Sequence, residues 1–237
     1  MHLEACFNFR DIGGYESAAG GRVRWRTVFR SGTLHRLTTT DRGRIAECGV
    51  RTIIDLRSTT ELHRDGYFDG SGSLIFHNVP VEDASVHEQH DDWGAQLADV
   101  YHAIAESNRT AIATVFTVVA TGEHPVVIHC FAGKDRTGII VALILSSLDV
   151  PDTTIAADYQ LTDHAIAPSV AWATENDPEW ATHIAALPPH TLRAPASAIT
   201  KFLAALRDKH GSIDNYLLHA GVDRRALDQL RTRLLEP

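Results

Sequence analysis

The chain has 237 residues, 44% hydrophobic and 22% charged, and 30 acidic against 22 basic side chains leave a formal net charge of −8. Apolar content at this level supports a packed core and excludes intrinsic disorder. The length suits one α/β domain with an elaboration or two small domains, and the acidic balance excludes a general nucleic-acid binder, which needs a basic footprint. No stretch approaches the roughly 18 consecutive apolar residues of a membrane span. Glu4, Arg10 and Asp11 interrupt the amino-terminal segment, so no secretory signal is expected and a cytoplasmic location is the default.

In chain order, residues 28–30 form a short apolar strand before a Ser31-Gly32 turn. Thr38 with Asp41 three residues on has the form of a capping box, opening a helix that stops at Gly49. The β-branched run Val50, Ile53, Ile54 and Leu56 reads as a buried strand, and residues 74–79 as a second. His87, Glu88, Gln89, His90, Asp91 and Asp92 follow, one residue short of the HExxH spacing that would set two imidazoles on one helical face, so the stretch reads as a solvated loop. Helical spacing recurs in Leu97, Val100, Tyr101 and Ile104, then in Ile112, Val115, Phe116 and Val119. After Gly122 and Pro125, the residues Val126, Val127 and Ile128 make a strand apolar on both faces, suited to a sheet interior. Strands separated by helices imply parallel pairing, so the expected core is a mostly parallel sheet flanked by helices.

Beyond Pro151 the composition changes. Asp152 is expected to cap a helix carrying Ile155, Tyr159 and Ile166, and Pro168, Trp172, Pro178, Trp180, Pro188, Pro189 and Pro195 then favour short helices on the surface. Residues 152–196 are read as a helical lid over the site that the sheet builds, or as an appendage that only covers the sheet. Ile199, Phe202, Leu203 and Leu206 restore a helix, as do Leu227, Leu230 and Leu234 after Asp223.

The chemistry concentrates in residues 129–138, HCFAGKDRTG, which run from the end of a buried strand into the apolar helix 139–148. A strand, a tight loop and a helix start make an anion site, because loop amides and the free N–H groups of the first helical turn converge, and the helix dipole adds to the field. A Walker loop also carries Gly-Lys before a helix, but here Ile128 stands where its first glycine is required and Asp135 where Ser or Thr must bind magnesium. Three cysteines without a CxxC pair give neither a disulfide framework nor a thiolate zinc site. Cys6 and Cys48 read as small buried hydrophobes. Cys130 differs in its company: loop amides, a helix start, Lys134 and Arg136 favour the thiolate, the form that attacks phosphorus and is open to oxidation. Arg136, six residues on, can return across the loop and hold two phosphate oxygens with its planar fork. Thr137 can donate its hydroxyl hydrogen to the sulfur, or be an ordinary helix-start residue.

Cys130 and Arg136 together resemble the CxxxxxR loop of the cysteine-dependent protein tyrosine phosphatases. The full HCFAGKDRTG is similar to the bacterial group, tyrosine phosphatase family 3, of mycobacterial and listerial type. The likeness continues through NFRDIGG at 8–14, FRSG at 29–32, DLRS at 55–58, ADY at 157–159, and Gly211-Ser212 through Tyr216-Leu217. The resemblance implies a single phosphatase domain, 1–237, with a cysteine-phosphatase-like α/β fold and a helical lid. It implies hydrolysis of phosphotyrosine, with phosphoserine, phosphothreonine and phosphoinositides also in range, through a phosphocysteine intermediate and without metal or cofactor. Relatives of this kind include exported proteins as well as cytosolic ones.

By the same resemblance Cys130 is the nucleophile, Arg136 and the loop residues Phe131, Ala132, Gly133, Lys134 and Thr137 bind phosphate, and Asp135 is the general acid. Asp83, Asp91 and Asp92 are its rivals. Lys134 either favours a second phosphate or balances Asp135. Asp55 and Arg57, at the carboxyl end of a neighbouring strand, support the loop together with His129, and Arg10 with Asp11 reads as a structural pair. The expected partners are phosphotyrosine proteins, phosphorylated small molecules or phosphoinositides, not nucleic acid. A binding module that keeps the pocket without turnover is the competing class, but it would have no need of a thiolate beside an arginine.

Overall fold

The computed structural model describes residues 3–68, 70, 74–82 and 92–237. Asp83, Asp91 and the His87–His90 stretch lie outside the described residues. The chain runs β1 (Arg10–Asp11), β2 (Arg22–Val23), β3 (Val28–Ser31), α1 (Thr39–Glu47), β4 (Thr52–Asp55), α2 (Thr59–Asp65), β5 (Ile75–Asn78), α3 (Trp93–Ser107), α4 (Arg109–Thr121) and β6 (Val126–His129). It continues through α5 (Asp135–Ser147), α6 (Asp152–Gln160), α7 (Asp163–Asn176), α8 (Pro178–Ala186), a 3-10 turn (Pro189–Leu192), α9 (Ala196–His210), α10 (Ile213–Ala220), α11 (Arg224–Leu234) and β7 (Leu235–Glu236).

The central sheet has the order β1-β3-β6-β4-β5. β3, β6, β4 and β5 pair in parallel, and β1 lies antiparallel on β3. β2 and β7 form a separate antiparallel pair joining the two ends of the chain. Alternation along the strands sends side chains to opposite faces. Phe29, Ile53 and Val127 pack with Leu37 and Ile45 on the α1 side, and Val28, Ile54, Val126 and Ile128 pack into the larger core built with α3, α4, α5, α9, α10 and α11. α5 crosses the middle of that core and is buried from Arg136 to Ser147. The all-apolar run at 139–148 therefore reflects burial on every side. Register positions the site: His129 at the end of β6 pairs with Ser31 on β3 and with Asp55 on β4. Three strands thus end level, and the loop after β6 emerges between the Ser31-Gly32 turn and the Asp55–Arg57 segment.

The capping box at Thr38 forms as read, with Thr38 Oγ1 accepting from the Asp41 amide. Three local expectations are corrected. Asp152 does not cap α6: Pro151 occupies the cap position, and the Asp152 carboxylate takes the Arg207 guanidinium at 2.6 and 2.8 Å. The expected helix through Ile166 is two helices, α6 and α7, parted at Leu161-Thr162 with Pro168 inside α7. Arg10 and Asp11 are not a pair. As strand neighbours they face opposite ways: Arg10 reaches Asp158, while Asp11 accepts the amides of Gly13 and Arg26 at 2.8 and 2.7 Å.

The span 152–196 also divides. α6 buries Ile155, Ala156, Asp158 and Tyr159 and belongs to the core, whereas α7 and α8 bury only Ala173 and Ile184, and α8 meets the loop after β6 through Trp180 on Phe131. Among the described residues, no helix is long and apolar enough to cross a membrane.

Candidate active site

The loop from Cys130 to Lys134 is shaped by what holds its carbonyls. Phe131 O accepts the Thr33 amide at 2.8 Å, Ala132 O accepts Asn8 Nδ2 at 3.3 Å, and Gly133 O accepts both Asn8 Nδ2 and Arg30 Nη2 at 2.8 Å. In a trans peptide the N–H points opposite to the C=O. Tying these carbonyls to an outer collar therefore turns the amides of Ala132, Gly133 and Lys134 to the other side, and these amides donate no hydrogen bond among the described residues. That is the construction of an anion-binding nest. Gly133 is required by it: its φ is +67°, and a Cβ there would lie 2.4 Å from Ser31 O.

The collar is itself anchored by a buried carboxylate. Asp158 on α6 receives Arg30 Nη1 at 2.6 Å, Arg10 Nε at 2.9 Å and the Tyr15 hydroxyl at 3.0 Å. Burial pushes the Asp158 carboxyl up, but Arg30 and Arg10 outweigh it and hold the group below the ordinary aspartate range. Arg10 in turn donates to Asn8 Oδ1, which orients the Asn8 amide toward the loop.

Arg136, in the first turn of α5, is clamped end-on by Glu61 of α2, with Nη1–Oε2 at 2.6 Å and Nη2–Oε1 at 2.9 Å. Glu61 is the third residue of a capping box: Ser58 Oγ accepts its amide, and Glu61 Oε2 also accepts the Ser58 amide. Burial acts to raise Glu61, but the Arg136 hydrogen bonds and charge and the Ser58 amide bring it down to about 2. Glu61 has a signal in the sequence, Ser58-x-x-Glu61, which starts at the last residue of the DLRS segment and has the form of a capping box.

On the other flank, Asp55 and Arg57 form a buried pair, with Arg57 Nη2 at 2.7 Å from Asp55 Oδ2. Arg57 also donates to Gly66 O at 2.9 Å, bracing the far end of α2, while His129 Nε2 lies 3.5 Å from Asp55 Oδ2. Burial lowers the His129 pKa, so the ring is neutral in ordinary conditions; its Nδ1 donates to Cys130 O at 3.1 Å, which sets the tautomer. Cys6 packs beside the turn, its Sγ 3.1 Å from Ser31 Oγ, and burial pushes its thiol up to about 12.

The loop side chains expected to bind phosphate do not all face it. Phe131 turns outward and meets the Trp180 ring of α8 edge-on at 4.5 Å. Lys134 Nζ is taken by the carbonyls of Thr191 and Arg193, in the stretch joining the covering helices to α9, and lies 3.5 Å from Asp135 Oδ1. The Thr137 hydroxyl is buried and makes no hydrogen bond among the described residues, the expected one to sulfur included. Asp135 accepts the Tyr101 hydroxyl on Oδ1 at 2.5 Å. Asp92, its described rival, is spent elsewhere: it caps α3 through the Ala95 amide and pairs with Lys201 at 2.5 Å.

Cys130 is only 3% exposed and packs in the larger core, while α8 reaches the loop through Trp180 on Phe131. Arg36 bridges to α7 and α8, 2.5 Å from Asp177 and stacked over the rings of Phe131 and Trp172 at 5.4 and 5.0 Å. A hollow of about 330 Å³ opens beside Phe131, between Arg36, Arg64, Asp65, Trp180 and His183. A larger one, about 730 Å³, lies behind α6 and α7 against Arg193 and has no loop residue in its wall.

Residues 1–236 match the tyrosine phosphatase family. The chain is 27% identical to the triple specificity protein phosphatase PtpB of Mycobacterium tuberculosis, over 98% of each chain. It is 28% identical to a tyrosine-protein phosphatase of Nostoc commune, over 86% of this chain and 73% of that one. Among solved structures, the core catalytic domain of the PP-IP phosphatase SIW14 from S. cerevisiae aligns with a TM-score of 0.40 and 17% identity, over 75% of this chain and 90% of that one.

Proposed function

The chain belongs to the tyrosine phosphatase family and is a cysteine-dependent phosphatase; on that premise we propose the roles of its residues and the range of its substrates. Cys130 Sγ attacks phosphorus while the ester P–O bond breaks, and the departing oxygen takes a proton from Asp135. Water then attacks the phosphocysteine, the P–S bond breaks, sulfur leaves as thiolate, and Asp135 recovers the proton from that water. Arg136 and the amides of the loop hold the equatorial oxygens, whose charge is spread most evenly in the transition state. The observation that carries this reading is the collar: three successive carbonyls, those of Phe131, Ala132 and Gly133, are tied outward, leaving an inward set of amides in front of Cys130.

Phosphotyrosine is the proposed first substrate, with phosphoserine, phosphothreonine and phosphoinositides as further ones, in keeping with the triple specificity named for the mycobacterial relative. The hollow bordered by Phe131, Trp180 and His183 suits an aromatic ring beside the phosphoryl group. The α7–α8 pair acts as a lid: it rests on the loop through Trp180 on Phe131 and on Arg36 through Asp177, and it is held by few buried side chains. Lys134 anchors the base of that lid in the covered state, so its role toward a second phosphate requires release from Thr191 and Arg193.

Steady-state kinetics on a phosphotyrosine peptide, a phosphoserine peptide and a phosphoinositide, with Cys130→Ser as the blank, test the proposal. Turnover of the phosphotyrosine peptide that the variant abolishes is the expected result. No turnover of any of the three by the unaltered protein would replace this mechanism with phosphate-ligand binding alone.

A further inference from the structure

Two buried phenols converge on Asp135 from elements far apart in the chain. Tyr101 of α3 and Tyr159 of α6 are both at most 1% exposed. The Tyr101 hydroxyl lies 2.5 Å from Asp135 Oδ1 and 2.6 Å from the Tyr159 hydroxyl. An ionised carboxylate only accepts, so the single Tyr101 hydrogen goes to Asp135, and Tyr159 is then the donor to Tyr101. The hydrogens therefore run in one direction, Tyr159 to Tyr101 to Asp135, and successive bonds polarise one another. The rings are locked by packing. Tyr101 meets Tyr159 edge-on at 6.1 Å and Phe202 at 6.2 Å, and the Tyr159 ring lies so close to Gly138 that a Cβ there would stand 3.0 Å from two of its carbons.

Resting on the reading of Asp135 as the general acid, we propose that Tyr101, oriented by Tyr159, is a positioning residue that holds Asp135 by Oδ1 and leaves Oδ2 to carry the catalytic proton. The other contact of the carboxylate, Lys134 Nζ at 3.5 Å, also falls on Oδ1, and Oδ2 has no hydrogen bond among the described residues. The arrangement serves both halves of the reaction. When Asp135 carries a proton on Oδ2, Oδ1 is the carbonyl oxygen and still accepts from Tyr101; when the proton has gone to the leaving group, Oδ1 accepts as part of the carboxylate. The holding bond need not break at either step. Burial first, and then the charge of Asp135, raise the Tyr101 phenol well above its ordinary range, so it remains a donor throughout.

The test is leaving-group dependence measured on the full chain. Asp135→Asn should cut kcat/KM for phenyl phosphate by about 10²-fold or more, as removal of a general acid does, while largely sparing p-nitrophenyl phosphate, whose phenolate leaves without a proton. Tyr101→Phe keeps the ring and should show the same selectivity at a smaller scale, a loss of about 10-fold on phenyl phosphate through kcat, as expected for one charge-assisted hydrogen bond. Tyr101→Phe in the Asp135→Asn background should add no further loss. Equal loss on both substrates, no loss, or losses that multiply in the double variant would overturn the positioning role while leaving Asp135 as the acid. An Asp135→Asn variant without leaving-group dependence would remove the acid reading and this inference with it. Should Tyr101→Phe fail to fold, Tyr159→Phe carries the same readout: a selective loss supports the relay, and an equal or absent loss refutes it.

Discussion

Replacing Glu61 by Gln tests how far Arg136, the proposed phosphate-binding arginine, depends on its clamp. The substitution keeps size and some hydrogen bonding but removes the charge facing both terminal nitrogens of Arg136. Holding Glu61 at about 2 in place of the ordinary 4.5 corresponds to at most about 3 kcal/mol at 1.36 kcal/mol per pH unit. A fifth of the Glu61 side chain is exposed, and solvent screening brings the expected contribution to about 1–2 kcal/mol. Urea denaturation at pH 7 should show that loss. Because the folded value is depressed, the contribution is present above pH 4.5 and is lost as pH falls toward about 2. The difference between the two proteins should therefore shrink across that window in acid. Arg136 would also lose the orientation of its fork, so KM for aryl phosphates should rise roughly 10-fold, in the range for one charge-assisted contact. Equal stability at pH 7, or a stability gap unchanged between pH 7 and pH 2.5, would refute the reasoning.

Asp158→Asn removes the charge shared by Arg10 and Arg30, whose ion pair with Asp158 is almost wholly buried on the Arg30 side; denaturant unfolding should show a loss of about 3–5 kcal/mol, the range for orphaning a buried charge, and a loss under about 1 kcal/mol would mean that the collar is not anchored there. Asp177→Asn removes the carboxylate that pins Arg36 to the covering helices; iodoacetamide should then alkylate Cys130 several-fold faster by mass spectrometry, with Cys6 unmodified in both proteins because its thiol is pushed up to about 12. An unchanged alkylation rate would detach this ion pair from lid closure.

The parallel sheet, the buried central strand and the loop that runs from it into α5 are legible because each is a local pattern. Period-two and period-3.6 burial give the strands and helices, and contiguous HCFAGKDRTG carries the thiol, the loop amides and the arginine within one short stretch of chain. The misreadings share a cause. Arg10 was matched to its sequence neighbour Asp11 when strand alternation sends it to Asp158, 148 residues away, and Asp152 was read as a cap when packing of α9 brings Arg207 to it. Asp158 lay in a recognised motif without a role, and Tyr101 was read as one more apolar position on a helix.

What the sequence determined by itself is the chemistry available: a thiol, an arginine six residues on, and a glycine between them. What the tertiary structure decided is the pairing. With 22 cations and 30 anions in the chain, desolvation requires a buried charge to find a partner but does not say which one. Packing brought Glu61 to Arg136 across 75 positions and Asn8 to Gly133 across 125. It also turned Lys134 toward the carbonyls of Thr191 and Arg193. A hydrogen bond forms only where two groups come within about 3 Å, and for residues this far apart in the chain only the folded sheet and its helices set that distance.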